Sequence, residues 1–195
     1  MMKQILITLA IVIGIPAVAQ ETVKTSNISL EIDPAPFILG GYSFSIKYSP
    51  KEFPKTAFMA SVYGSDLPDA MMSKQNKEKG WSNLRLETSY AIFAEFYLKN
   101  NRRGFYFGPS VFLYRKSVQL NSANERTKFK SLYPNLRAGY IWYPFKKVNV
   151  YLNPWVNIGS EINIDTKNRF GEVHYEANKL NYIAALHIGY SLDWQ

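Results

Sequence analysis

The chain has 195 residues, 47% of them apolar, no cysteine, and a formal net charge of +8. That length suits one domain, and a mean hydropathy below zero excludes both a disordered chain and a bundle of membrane helices. The missing cysteines exclude a disulfide, a thiolate nucleophile, a Cys-based zinc site and an acylated N-terminal cysteine.

Residues 1–19 read as a secretory signal: Lys3 gives the positive start, Ile5 to Ile15 the apolar run, and Ala17-Val18-Ala19 a small-x-small cleavage site. The expected mature chain begins at Gln20, with a single domain over residues 20–195. The apolar run is too short for a spanning helix, and no later stretch reaches the roughly 18 to 20 apolar residues such a helix needs. Membrane contact, if made, is made by strands. Lys3 is the one basic residue removed with the signal, so the mature chain stays basic. An exported basic chain meets anionic lipid rather than nucleic acid.

From Ile28 onward apolar and polar residues alternate at period two, in segments separated by clusters of Asn, Lys, Gly and Pro, which is an all-β pattern. Ile28 to Ile32, Ile38 to Tyr48 and Thr56 to Gly64 are the first three expected strands, with Ile28 to Tyr48 readable as one broken strand or as two. Leu84 to Leu98 is clearer. There Leu84, Leu86, Thr88, Tyr90, Ile92, Ala94, Phe96 and Leu98 share a face opposite Arg85, Glu87, Ser89, Phe93, Glu95 and Tyr97. Phe105 to Leu113 and Leu132 to Trp142 follow. Val148 to Glu161 sets Val148, Val150, Leu152, Pro154, Val156 and Ile158 against Asn149, Tyr151, Asn153, Trp155, Asn157 and Glu161. Leu180 to Trp194 sets Leu180, Tyr182, Ala184, Leu186, Ile188, Tyr190, Leu192 and Trp194 against Asn181, Ile183, Ala185, His187, Gly189, Ser191 and Asp193.

Eight strands put both ends of the domain on one side. The connections at Ser49 to Lys55, Lys99 to Arg103 and Pro144 to Lys147 are short, and those at Ser65 to Ser82, Gln119 to Lys128 and Asn163 to Lys179 are longer. Short and long alternate, except at Asp33-Pro34-Ala35-Pro36. Alternation does not by itself say which face points outward, so a soluble lipocalin-like barrel, apolar inside, stands as the rival. The membrane reading rests on an apolar face that is continuous, and on an opposite face mixing charges with Tyr, Trp, Ser and Gly. It rests also on aromatics beside the short turns: Tyr48, Phe53, Phe96, Phe105, Trp142, Tyr143, Phe145 and Trp194.

The last strand carries the pattern polar-x-Gly-x-x-hydrophobic-x-aromatic in His187-Ile188-Gly189-Tyr190-Ser191-Leu192-Asp193-Trp194. It resembles the C-terminal signal by which bacterial outer-membrane barrels are recognised for assembly. With Gly40-Gly41-Tyr42-Ser43-Phe44 and Gly104-Phe105-Tyr106-Phe107-Gly108-Pro109, the stretch from Ile28 to Trp194 resembles the small Gram-negative outer-membrane β-barrel families, of the OmpX-like and OmpA-type transmembrane kind. The resemblance implies an eight-stranded antiparallel up-and-down transmembrane β-barrel in the outer membrane of a Gram-negative bacterium. It implies short periplasmic turns, long extracellular loops, contact with lipopolysaccharide and phospholipid, and handling by the barrel-assembly machinery through the C-terminal strand. It implies no active site, and no peptidoglycan-binding domain is expected after Trp194.

The expected inward set is Glu31, Lys47, Arg85, Glu87, Glu95, Lys116, Arg137, Glu161, His187 and Asp193. An eight-stranded lumen is just wide enough to be filled by side chains. Buried charges must pair, so these residues read as a polar plug rather than an ion path. Lipid A deacylases and acyltransferases use a His and a Ser at the outer rim. His174-Tyr175-Glu176-Ala177-Asn178 resembles the deacylase His-x-Ser-Asn pattern, but Glu176 stands where the nucleophile is needed. His174 therefore reads as a loop histidine and His187 as a lumen hydrogen-bonder. No His-Glu metal spacing, phosphate-cradling Gly loop or acidic calcium loop is present.

Lys51, Lys55, Lys99, Arg102, Arg103, Lys146 and Lys147 gather in the short turns against Glu52 alone, which suits either lipid phosphates or soluble turns. The sequence thus assigns no catalytic, cofactor-binding or metal-ligating residue. It points to a monomeric barrel with a structural or surface-interaction role through its long loops. A lipid A-modifying enzyme, a narrow pore and a soluble ligand-binding barrel are the alternatives.

Overall fold

A computed structural model describes residues 25–123, 125–145 and 147–193, the side chain of Asp193 excepted. The signal segment with its cleavage site, Lys146 and Trp194 lie outside the described residues. In chain order the elements are β1 (Asn27–Ile32), α1 (Pro34–Ile38), β2 (Tyr42–Ser49), β3 (Thr56–Asp66), a 3-10 turn (Asp69–Met71), α2 (Lys74–Glu78), β4 (Trp81–Tyr97) and β5 (Gly104–Leu120). They continue with β6 (Glu125–Ile141), β7 (Val150–Gly159), three two-residue pieces β8 (Ile162–Asn163), β9 (Arg169–Phe170) and β10 (Val173–His174), and β11 (Asn181–Asp193). Each long strand pairs antiparallel with the next, β5 closes on β6, and β11 lies between β7 and β1. The fold is a closed eight-stranded antiparallel barrel of the transmembrane type.

Period-two alternation becomes an inside and an outside because successive strand side chains point to opposite faces. Outward stand Leu30, Phe44, Ile46, Phe58, Ile92, Phe107, Leu136, Val156, Ile158 and Leu186. Inward stand Ser29, Glu31, Ser45, Lys47, Glu95, Arg137, Asn153 and His187, all buried. This is the reverse of a water-soluble ligand-binding barrel and excludes the lipocalin reading. Tyr48, Phe53, Phe96, Phe105, Trp142 and Phe145 are exposed at the end carrying the short turns, as a girdle requires. Tyr143 instead turns inward, onto Tyr151 and under the Arg103 guanidinium.

The lumen is filled by pairing small with large. β1, β2 and β3 contribute Ser29, Ser43, Ser45 and Ser61, while β5, β6 and β7 contribute Tyr106, Phe112, Tyr133, Tyr151 and Trp155. Gly139 and Gly189 sit opposite Tyr106 and Tyr151 in register, and a Cβ at either position would collide with the tyrosine ring. These glycines are the hollows into which the rings lie.

The expected longer loop Gln119 to Lys128 does not exist as a loop: β5 runs to Leu120, β6 starts at Glu125, and a four-residue turn joins them. The outer face turns polar at Arg115, Lys128 and Lys130 while Lys116, Val118, Leu120 and Phe129 still face inward. An outward apolar pattern therefore ends at Leu113 although the strand does not. β4 carries a related correction. Bulges between Ser82 and Arg85 and between Leu86 and Thr88 reverse its phase, so Leu84 and Leu86, expected outward, are buried, and Arg85, expected inward, lies at the rim beside Asp66.

Above the apolar band the barrel thus inverts to polar outside and apolar inside, as an element does on leaving lipid for water. Ile28 to Tyr48 resolves into two strands. Asp33 caps α1 by accepting from the Ala35 amide at 3.0 Å, and Ile38 belongs to this helix rather than to β2.

Candidate functional site: lumen and loop cap

The proposed inward charges meet in two groups. In the first, Glu31 is the hub. Its carboxylate faces Lys47 Nζ at 2.5 Å and accepts from Tyr151 Oη at 2.7 Å and Asn153 Nδ2 at 3.1 Å. His187 Nδ1 lies 2.7 Å from Glu31 Oε2, so the ring proton sits on Nδ1, where the carboxylate needs a donor. Lys47 also reaches Glu95 at 2.9 Å, and Tyr97 donates to that carboxylate at 2.6 Å. Arg137 lies 3.5 Å from the other Glu95 oxygen, with its guanidinium 4.4 Å from the Trp155 ring centroid and 4.6 Å from that of Phe93. The second group is nearer the long loops. Glu161 accepts from Lys116 at 2.6 Å and from Ser131 at 2.5 Å, and Glu87 accepts from Ser117 at 2.6 Å.

Of the ten expected inward charges, Glu31, Lys47, Glu95, Lys116, Arg137, Glu161 and His187 are buried, Glu87 is half-buried, Arg85 is at the rim, and the Asp193 side chain lies outside the described residues. Five of them, Glu31, Lys47, Glu95, Arg137 and His187, form one network across the lumen, and Lys47 bridges its two carboxylates. Such a network closes the cross-section. Its uncharged partners, Tyr151, Asn153 and Tyr97, were not singled out among the charges, although period two alone places each on the inward face.

The long loops pack into a cap. Met72 and Tyr175 of these loops join Trp81, Leu84, Val118, Leu120 and Phe129 of the strands in an apolar core at the loop end of the lumen. Asn76, fully buried, donates to Glu176 O at 2.8 Å and accepts from Glu176 N at 2.9 Å, as a strand neighbour would. Trp81 Nε1 and Lys79 Nζ both donate to His174 O, and Lys79 pairs with Glu176 at 3.0 Å. Burial, with the Glu161 carboxylate adding to it, pushes the Tyr175 phenol up, so it stays neutral in this cap.

His174 therefore serves through its main chain, and its imidazole is exposed. Ser131 is fully buried against Glu161, away from solvent. Among the described residues no group of three or more His, Cys, Asp or Glu side chains is placed to hold a metal ion. Between cap and network lies a cavity of about 200 Å³, lined by Leu39, Leu86, Phe112, Ile183 and Ala185 and, on its polar side, by Ser89, Trp155, Lys116 and Glu161. At the opposite end Arg102 donates to the carbonyls of Pro50 and Pro54, tying two of the short turns together, while Lys51, Lys55, Lys99 and Lys147 are exposed.

No protein-family model matches the chain, and no curated protein matches it. Among solved structures it is similar to the N-terminal β-barrel domain of Pseudomonas aeruginosa OprF, at 11% identity and a TM-score of 0.50, over 85% of this chain and 97% of that one. It also aligns with Neisserial surface protein A at 14% identity and a TM-score of 0.38, over 87% of this chain and 95% of that one. With its lumen, its apolar band and this likeness together, the chain has the fold of the small eight-stranded outer-membrane β-barrels.

Proposed function

We propose that the chain is exported to the outer membrane of a Gram-negative bacterium, cleaved after Ala19, and works there as a monomeric, non-catalytic barrel. Its role is structural or interactive, exercised through the loop cap. The observation that carries this reading is the cap itself. Two long connections share a buried core and the reciprocal Asn76–Glu176 pair, so they present a fixed surface on a rigid scaffold, the arrangement by which loops carry specificity. Lipopolysaccharide and phospholipid surround the band, and the C-terminal strand is the handle for barrel assembly. Closure of the barrel supports the monomer, because it leaves few strand edges to pair.

The test is membrane fractionation followed by electrophoresis in detergent with and without boiling. The expected result is recovery with the outer membrane and a heat-dependent shift in mobility. Recovery in the soluble periplasm overturns the reading. Mass spectrometry of lipid A separates it from the enzymatic alternative: His174→Ala leaves the lipid A profile unchanged, whereas a deacylase loses a product.

A further inference from the structure

One seam of the barrel is incomplete. β1 pairs with β11 only as far as Ile32 opposite Ile188, while β11 continues along β7 to Asn181. The β1-side edge of residues 181–187 therefore faces α1 instead of a strand. Among the described residues no backbone hydrogen bond joins residues 33–41 to residues 181–187. The hydrogen bonds that anchor this segment run the other way, from the Asp33 amide to Ser43 Oγ at 2.9 Å and from the Asp66 amide to Leu39 O at 3.0 Å. α1 is fastened to β2 and β3 and merely leans on β11.

This seam opens within the apolar band. Leu186, Ala184 and Tyr182 point outward on β11 beside Val156 and Ile158 of β7, and Ile38 of α1 is 84% exposed. A bare strand edge is tolerated at such a depth only where it is covered by protein or borders a cavity. It borders one here. The cavity beneath the cap is bounded by Ala35, Pro36 and Leu39 on one side of the seam and by Ile183, Ala184 and Ala185 on the other. Three consecutive strand residues cannot all present side chains to one face, so the cavity meets the edge of β11. Its lining holds three groups without a hydrogen-bond partner, Tyr63 Oη, Ser89 Oγ and Trp155 Nε1, although all three residues are buried. The indole N–H only donates, and the Lys116 ammonium stands in the same lining.

We propose that this cavity binds a small amphiphile, an apolar body bearing one hydrogen-bond-accepting head, which enters sideways from the lipid through the seam between α1 and β11. The head accepts from Trp155 and Ser89, and the body lies on Leu39, Leu86, Ile183 and Ala185. An apolar pocket with a few convergent polar groups is the usual form of a small-molecule site. A medium-chain fatty acid is the simplest ligand of this class, and lipid is where such a molecule concentrates.

The mature chain folded in phospholipid nanodiscs tests this with 2-bromodecanoic acid, whose bromine sits beside the carboxyl head that meets Trp155 and quenches tryptophan at contact range. The expected result is a saturable quenching component that disappears in Trp155→Phe and weakens at least tenfold in apparent affinity in Ala185→Phe, which fills the cavity. Absence of a saturable component, or its survival in Trp155→Phe, overturns the site. The chain has no native cysteine, so Ala35→Cys and Ala184→Cys can be joined across the seam by a short bis-maleimide. Joining them slows the onset of quenching at least tenfold, while each single cysteine capped with a monofunctional maleimide does not. Unchanged onset after joining overturns the lateral route. Heat-dependent mobility of every sample reports the barrel independently, so a failed probe in a folded barrel counts against the cavity and not against the fold.

Discussion

At the scale of single residues, Glu31 carries the most. Its carboxylate answers a lysine, a tyrosine, an asparagine and a histidine at once, and of its two cationic partners Lys47 has a second carboxylate, Glu95, within reach. Removing one partner of a buried ionic network leaves charge and donors uncompensated and costs on the order of 3–5 kcal/mol. Glu31→Ala is therefore expected to lower the unfolding free energy of the lipid-embedded barrel, extrapolated from urea titration, by that amount. Arg85→Ala, which breaks the exposed 2.5 Å pair with Asp66, should cost about 1 kcal/mol or less. Equal losses in urea titrations of the two variants would show that the lumen network is not what holds the barrel. His187 and Gly189 also acquire plain local tasks. Both belong to the C-terminal assembly-type pattern, yet one completes the Glu31 hub and the other makes room for the Tyr151 ring.

Elements show where period two is informative and where it misleads. In β7 and over residues 181–192 of β11 the expected inward and outward side chains land on their expected faces, because both strands stay within the apolar band and pair in register without a bulge. The upper halves of β4, β5 and β6 leave that band, and there the outward face turns to Arg115, Lys128 and Lys130 while the inward face turns apolar. A reading that follows outward apolarity stops too soon in β5 and β6, and in β4 it keeps the wrong phase through the bulge at Leu86–Thr88. The lumen network was legible because charge on an otherwise apolar alternation has nowhere else to go. The cap was not, since Asn76 and Glu176 are a hundred positions apart in sequence and neither carries a periodic signal. Asn76→Ala removes both of its bonds to Glu176 and should free the loops without opening the barrel. Limited trypsin digestion of the folded protein is expected to cut faster at Lys167, Arg169 and Lys179, with heat-dependent mobility unchanged. Unaltered cleavage would mean that the apolar core alone holds the cap.

At the scale of the molecule, the filled cross-section decides transport. Glu31, Lys47, Glu95 and Arg137 reach across the lumen with side chains almost wholly shielded from solvent, as a plug requires. Planar bilayer recordings of the purified barrel should therefore show no discrete conductance steps, and a steady single-channel current would refute the plug. The wall around that plug is not of even height. β4, β5 and β6 each run for 17 residues, whereas β1 has 6, β2 has 8 and β7 has 10. The extra length of β4, β5 and β6 carries the polar outer face at Arg115, Lys128 and Lys130, so on that side the wall rises beyond the apolar band. The barrel consequently has a front and a back above the membrane plane, and a partner reaching the loop cap meets a tall polar flank on one side and a low rim on the other.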